Sequence, residues 1–236
     1  MTLLALERVS RRYGRSSHER VVLRDLSLEV DSGELVVVWG LRRSGRSTLL
    51  RVAAGIEAPD TGVVRFAGRE LSGRDGAALG SGIGYCQRSF RGSEGRVVLD
   101  ELMVAPLARG VRPSVAHAHS RRALERCGVE HCAARGLGEL DSAEAMRVTI
   151  ARALVLQPSL LIIDEPTKGV DLIARDGILS LLRSLAKEGI AILVSAGEAT
   201  GLSGADRALS LADGELRGSL SPELAPVVSL HRQVGA

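Results

Sequence analysis

The stretch Gly40-Leu41-Arg42-Arg43-Ser44-Gly45-Arg46-Ser47-Thr48 holds the residues best suited to chemistry on a phosphate. It keeps the spacing of a phosphate-binding loop, G-x-x-x-x-G-K-[ST], with Arg46 standing where that pattern has lysine. Gly40 and Gly45 let successive backbone N–H groups, from Ser44 through Thr48, converge on phosphate oxygens, and the helix that follows adds its positive end. Ser47 is placed to ligate Mg²⁺. Arginine keeps the charge of lysine but not its shape: a planar fork needs more room than a compact ammonium. The expectation is that Arg46 permits phosphate contact while disturbing the geometry at the terminal phosphate. Alone, the segment also fits an ordinary glycine-rich turn.

A second candidate is Leu160-Leu161-Ile162-Ile163-Asp164-Glu165-Pro166-Thr167. An apolar run ending in two carboxylates places Asp164 at the C-terminal edge of a strand, where α/β sheets bind ligands. Asp164 is a candidate Mg²⁺ ligand, and Glu165 a candidate base for a water attacking the terminal phosphate. By itself the pair could be a solvated strand end.

The elements that must position these groups can be read from periodicity. Leu3–Val9, Val21–Val30 and Val63–Phe66 read as strands, and Glu34–Trp39, Ile83–Cys86, Leu160–Ile163 and Ile190–Ser195 as short strands around the glycine-rich turn. Ser47–Ala54 and Leu172–Ala186 read as helices, as do Val97–Ala108, Val115–Cys127 and Ser142–Leu154. Asp213-Gly214 between two apolar runs is a hairpin signal. The fold class expected is α/β: a P-loop NTPase core with an antiparallel β portion and an inserted α-helical subdomain over about 89–156. One domain spans 1–218, and 219–236 read as a weakly structured tail.

Aromatic residues make up 2% of the 236 residues, which argues against nucleic acid held by base stacking. The net charge of +3 is too small to imply nucleic acid without a clustered patch. Arg11, Arg12 and Arg15 read as a solvated basic face. Lys168 and Lys187 are the only lysines. Cys86, Cys127 and Cys132 have no framework spacing and read as reduced thiols. His117, His119, Cys127, His131 and Cys132 cluster in sequence but match no closed zinc pattern, so exposed histidines and buried cysteines are expected. Met1–Val9 does not read as a signal peptide. No apolar run has membrane-spanning length, so membrane association would go through a partner.

Taken together, these landmarks resemble the ABC ATPase family, most closely the branch serving lipoprotein-release and macrolide-export systems. The resemblance runs from about Leu3 to Gly218. It implies ATP and Mg²⁺ as ligands, a transmembrane permease and a second ATP-binding subunit as partners, and a place at the cytoplasmic face of the membrane. It implies roles for further residues. Tyr13 would stack on adenine, although a partly buried strand-end tyrosine is the alternative. Gln87 would link Mg²⁺ to the helical subdomain. Leu99-Asp100-Glu101-Leu102 would face the membrane partner. Arg147–Leu154 matches the helix after the family's signature, and Asp171 its D-loop aspartate.

Three positions depart from the family. Arg46 is the first. The signature, usually Leu-Ser-Gly-Gly-Gln or Glu, reads Leu140-Asp141-Ser142-Ala143-Glu144. Asp141 would put a carboxylate near the phosphate of the opposite subunit, a repulsion of roughly 3–4 kcal/mol per charge pair at about 4–5 Å and an effective dielectric near 20. The four residues Asp141 through Glu144 also fit the spacing of a capping box. The third departure is Ala196, where the family has a switch histidine. The implied function is an ATP-binding subunit that couples nucleotide to permease movement with slow hydrolysis. A fully active ATPase and a regulatory subunit that gates a membrane partner without efficient turnover are the alternatives.

Overall fold

The computed structural model describes residues 1–14, 20–72, 82–87, 95–197 and 204–220, so Arg15, residues 89–94 and the stretch 221–236 lie outside it. Two sheets form the frame. The first is antiparallel, with strand order β2-β1-β4-β5. Its strands are β1 (Thr2–Tyr13), β2 (Arg20–Asp31), β4 (Thr61–Phe66) and β5 (Arg69–Glu70). The second has order β10-β9-β3-β8-β7-β6. It comprises β3 (Leu35–Trp39), β6 (Ile83–Cys86), β7 (Leu160–Asp164), β8 (Ala191–Ala196), β9 (Arg207–Ala212) and β10 (Glu215–Leu220). All its pairings are parallel except β9 with β10.

The central parallel strands β3, β7 and β8 are largely apolar on both faces because both faces are covered. Val36, Val38, Leu160 and Ile162 point into a core shared with the antiparallel sheet and with α1 (Arg46–Ala53). Leu35, Val37, Leu161 and Ile163 point the other way, into a core shared with the remaining helices. These are α2 (Val98–Ala108), α3 (Pro113–Arg126), α4 (Ser142–Leu154) and α5 (Leu172–Lys187). Helices α2 and α3 form the helical insertion, and α4 brings the chain back against β6 and α5.

The elements expected from periodicity form at their places, with ends shifted by a few residues. Asp213 and Gly214 both have positive φ, 53° and 83°, as a two-residue hairpin turn between β9 and β10 requires. The expected end of the domain at 218 falls inside β10. Gly218 has a φ of 57° and lies at a register shift between Arg217 and Ser219, and the pairing with β9 resumes as far as Leu220. The two-residue strand β5 carries too little pattern to be read from sequence.

Candidate functional site

Strand β3 sits in the middle of its sheet and delivers the chain into residues 40–45 and then α1. A side chain at Gly40 would lie 2.4 Å from the carbonyl oxygen of Leu211 on β9. At Gly45 φ is 105°, and a Cβ would lie 2.8 Å from the Val22 carbonyl oxygen. Both glycines are therefore required by close backbone approach, and Gly45 also by its left-handed conformation. Gly45 is the N-cap of α1, with no side-chain cap and no acidic residue in the first turn. The helix end thus presents uncapped N–H groups to a groove of about 530 Å³, lined by Ser44 through Thr48 and by Arg20, Arg43 and Lys168. An anion is the natural occupant.

Asp164 ends β7, two strands away from β3, with β8 between them. The gap is bridged by hydroxyls. Ser195, fully buried and level with Asp164 in the β7–β8 register, donates to Asp164 Oδ1 at 2.6 Å and accepts from the Glu165 N–H at 3.0 Å. Ser47 Oγ, from the first turn of α1, donates to Asp164 Oδ2 at 2.8 Å. Ser47 and Asp164 thus meet as expected for a shared hard cation, which takes oxygen ligands. Ser195 was not singled out from sequence. A serine ending an apolar strand carries no signal until the strand order places it beside the acid.

Glu165 follows at a φ of 49°, an uncommon conformation for a side chain larger than glycine. It is buried, and so is Arg46. Arg46 Nη2 donates to Glu165 Oε1 at 2.9 Å, while Lys168 Nζ lies 3.1 Å from Oε2 as an ion-pair contact. The arginine that replaces the loop lysine therefore holds the candidate base, which the spacing alone does not reveal. Gly40, Gly45, the uncapped helix end and the Ser47–Asp164 pair fit a magnesium-bound triphosphate. When bound, that cation would neutralise phosphate charge beside Ser47 and Asp164.

A family model described as ABC transporter matches residues 23–168, from β2 past the acidic strand. The chain belongs to the ABC transporter family. It is 34% identical over 221 residues to the lipoprotein-releasing system ATP-binding protein LolD of Myxococcus xanthus, covering 92% of this chain and 99% of that protein. It is 32% identical to the glutamate transport ATP-binding protein GluA of Corynebacterium efficiens, over 85% of each chain. The macrolide export ATP-binding/permease protein MacB of Marinobacter nauticus matches at 28%, over 91% of this chain but 34% of that longer protein. Among solved structures, an ATP-binding cassette dimer bound to ADP and Pi superposes with a TM-score of 0.84 at 22% identity, covering 93% and 99% of the two chains. The fold is thus that of an ATP-binding cassette. Among the described residues no helix is long and apolar enough to cross a membrane.

The residues taken from the resemblance sit farther out. Tyr13 ends β1 beside α1, with its hydroxyl 3.4 Å from Thr48 Oγ1. It also donates to Glu57, and the Arg11 guanidinium lies 5.0 Å from its ring centroid. One ring face is therefore partly occupied by Arg11, and the tyrosine is tethered next to the phosphate loop. Burial would raise the Glu57 carboxyl, but hydrogen bonds from Tyr13, Arg11 and Arg51 hold it below the usual range. Gln87 is exposed just after β6. Cys86 pairs with Ile163, so Gln87 falls level with Asp164 at the sheet edge. Asp171 caps α5, accepting from the Ala174 N–H at 2.9 Å, and does not line the phosphate groove.

The signature segment forms the capping box that its spacing allows. Asp141 Oδ1 accepts from the N–H groups of Ala143 and Glu144, both at 2.8 Å, and Glu144 Oε2 accepts from the Asp141 N–H at 3.0 Å. Two first-turn amides of α4 are thus already bound to a carboxylate. Glu144 is held at about 2, first by the Asp141 backbone N–H and then, against some desolvation, by His131 and Arg135. Its folded value lies below the unfolded value of 4.5, so its contribution to stability is complete above about 4.5 and is lost as pH falls toward about 2. Glu144→Gln should flatten the acid limb of a stability–pH curve across that window and leave its shape near neutrality unchanged. Equal slopes for both proteins between pH 4.5 and 2 would refute the assignment.

The histidines and cysteines of this segment lie in different surroundings. His117 and His131 are exposed as expected, His119 is half-buried, and Cys86, Cys127 and Cys132 are free and buried. Desolvation pushes the Cys86 and Cys127 thiols up to about 12, which leaves them unreactive. Ligand atoms of His131, Cys132 and Glu144 lie within 4.8 Å of one another. The Arg135 guanidinium already sits on them, 2.7 Å from Glu144 Oε1 and 3.7 Å from Cys132 Sγ, and a cation in that place disfavours a metal ion.

Proposed function

We propose that this chain binds Mg-ATP over residues 40–48 and serves as the ATP-binding subunit of a membrane transport complex, turning nucleotide over slowly. It would sit at the cytoplasmic face, beneath a permease and beside a second ATP-binding subunit. The observation that carries the reading is the meeting of Ser47 and Asp164 beside an uncapped helix end in a glycine cradle. The slow turnover rests on Glu165, whose Oε1 accepts from Arg46 Nη2 at 2.9 Å and whose Oε2 lies 3.1 Å from Lys168 Nζ, so the candidate base is held in charge pairs. Asp141 adds to it by filling the amides of the signature helix.

Equilibrium binding of ATP with and without magnesium, followed by single-turnover phosphate release, tests both parts. Micromolar, chelator-sensitive binding with phosphate release well below about 1 s⁻¹ is expected, since ordinary enzymes fall at 1–10³ s⁻¹. Turnover inside that ordinary range would reject slow hydrolysis. Absent binding would reject the nucleotide site. The capping box favours a second reading, a regulatory subunit that only binds. Bound ATP with no phosphate release over hours would select it.

A further inference from the structure

A second cleft, of about 920 Å³, lies between the start of β2, residues 39–44 and the β9–β10 hairpin. Ser47, Asp164 and Glu165 do not line it, so it is separate from the phosphate groove. Its walls are tied to one another. The Arg24 N–H donates to the Gly214 carbonyl at 2.8 Å, and a Cβ on Gly214 would lie 2.9 Å from the Val22 carbonyl oxygen. Arg20 Nη2 donates to the Arg43 carbonyl at 3.2 Å, which joins β2 to the loop. The hollow is thus preformed, and its volume is that of a small-molecule site.

Arg20, Arg24, Arg42, Arg43 and Arg217 line this cleft against a single carboxylate, Asp213. Of these arginines only Arg217 has an acidic partner among the described residues, Glu215 at 3.3 Å. Elsewhere the chain pairs its arginines: Arg11, Arg51, Arg65, Arg126 and Arg207 each meet a carboxylate within 3.0 Å. Guanidinium groups gathered in a concavity add their fields, and the low-dielectric walls limit screening by water. Like charges left together without carboxylates call for an anion from outside.

We propose that this cleft is a second anion site, which takes a small, multiply charged phosphate compound. The planar guanidinium fork matches phosphate oxygens two at a time, and several forks around one hollow suit a ligand with more than one phosphate. Arg20, Arg42 and Arg43 also border the phosphate groove, whereas Arg24 and Arg217 line the cleft alone. The last two therefore separate this site from the nucleotide site, and the inference does not rest on the nucleotide reading.

Equilibrium dialysis of labelled pyrophosphate against the full chain tests it, with affinity for a nonhydrolysable Mg-ATP analogue measured in parallel. Arg24→Ala with Arg217→Ala should weaken one pyrophosphate site at least about tenfold and leave the analogue within about threefold, because two charge-assisted contacts are lost from the cleft only. Arg69→Ala with Arg121→Ala removes the same charge from exposed positions outside the cleft. That pair should leave pyrophosphate within about twofold at about 0.15 M salt, where distant charges are screened. All four side chains are exposed, so urea midpoints should hold. Arg24→Gln with Arg217→Gln, which keeps side-chain bulk, should repeat the loss. The wild type should also prefer pyrophosphate to sulfate by at least about tenfold, since the forks are arranged for more than one anionic group. An unchanged pyrophosphate site in the cleft variants, equal losses in the cleft and control pairs, or equal affinity for sulfate would overturn the proposal. A wild type that binds pyrophosphate in the cleft but no Mg-ATP analogue would fail the nucleotide reading and support this one.

Discussion

Glu165→Ala is expected to lower the stability of the nucleotide-free protein by about 3–5 kcal/mol, measured by urea denaturation, because it leaves a buried guanidinium without its carboxylate. Arg46 and Glu165 are both under a tenth exposed and meet at 2.9 Å, so neither charge has water to fall back on. Removing one partner costs more than the pair contributes. The double variant Arg46→Met with Glu165→Leu should therefore recover most of the loss, since well-packed apolar groups often replace a buried ion pair without penalty. Glu165→Gln, which keeps an acceptor for Nη2, should fall between. Saturating Mg-ATP should restore more stability to Glu165→Ala than to the wild type, because a phosphate then supplies the missing anion. Ligand at about 100 times its dissociation constant stabilises by about 2.7 kcal/mol in any case, so the excess over that value is the quantity to read. A Glu165→Ala protein within about 1 kcal/mol of wild type would show that the pair is not a buried electrostatic unit.

That pair marks the limit of what the sequence discloses. The glycine-rich turn, the acidic strand end and the capping box are local patterns whose chemistry lies within nine consecutive residues, and each forms as its spacing requires. The Asp213-Gly214 hairpin is legible for the same reason. The Arg46–Glu165 contact joins residues 119 positions apart, and the Ser195–Asp164 contact joins residues 31 apart. Both depend on the order β3-β8-β7 and on the parallel register that sets Ser195 beside Asp164. Strand order is not written in the alternation of any one strand, because β3, β7 and β8 are buried and largely apolar on both faces. Arginine in place of lysine is visible in the sequence; the direction its fork takes, toward Glu165 and past Gly197, is not, because neither neighbour is local to the loop.

The largest change in rate is expected from Arg46→Lys, Asp141→Ser and Ala196→His made together, about 10²–10³-fold in single-turnover phosphate release, the scale set by aligned donors on a transition state. If the second ATP-binding subunit of the proposed function is another copy of this chain, paired head to tail as the family resemblance implies, each site would take its phosphate loop from one copy and its signature helix from the other. All three residues then act on the same phosphate, and changing one leaves the others in place. Asp141→Ser removes the carboxylate that now accepts from the Ala143 and Glu144 amides, and serine still caps the helix, so folding should be little affected. Arg46→Lys frees Glu165 Oε1 and empties the space that a ring at position 196 needs. Ala196→His alone should therefore give no gain, because Arg46 Nη1 already faces that turn. Groups that act as a unit are non-additive, so each single variant should stay within about tenfold of wild type. A single variant that reaches the rate of the triple would assign the slow step to that residue alone. A wild type already as fast as the triple would show that the arginine fork and the filled helix cap do not restrain hydrolysis.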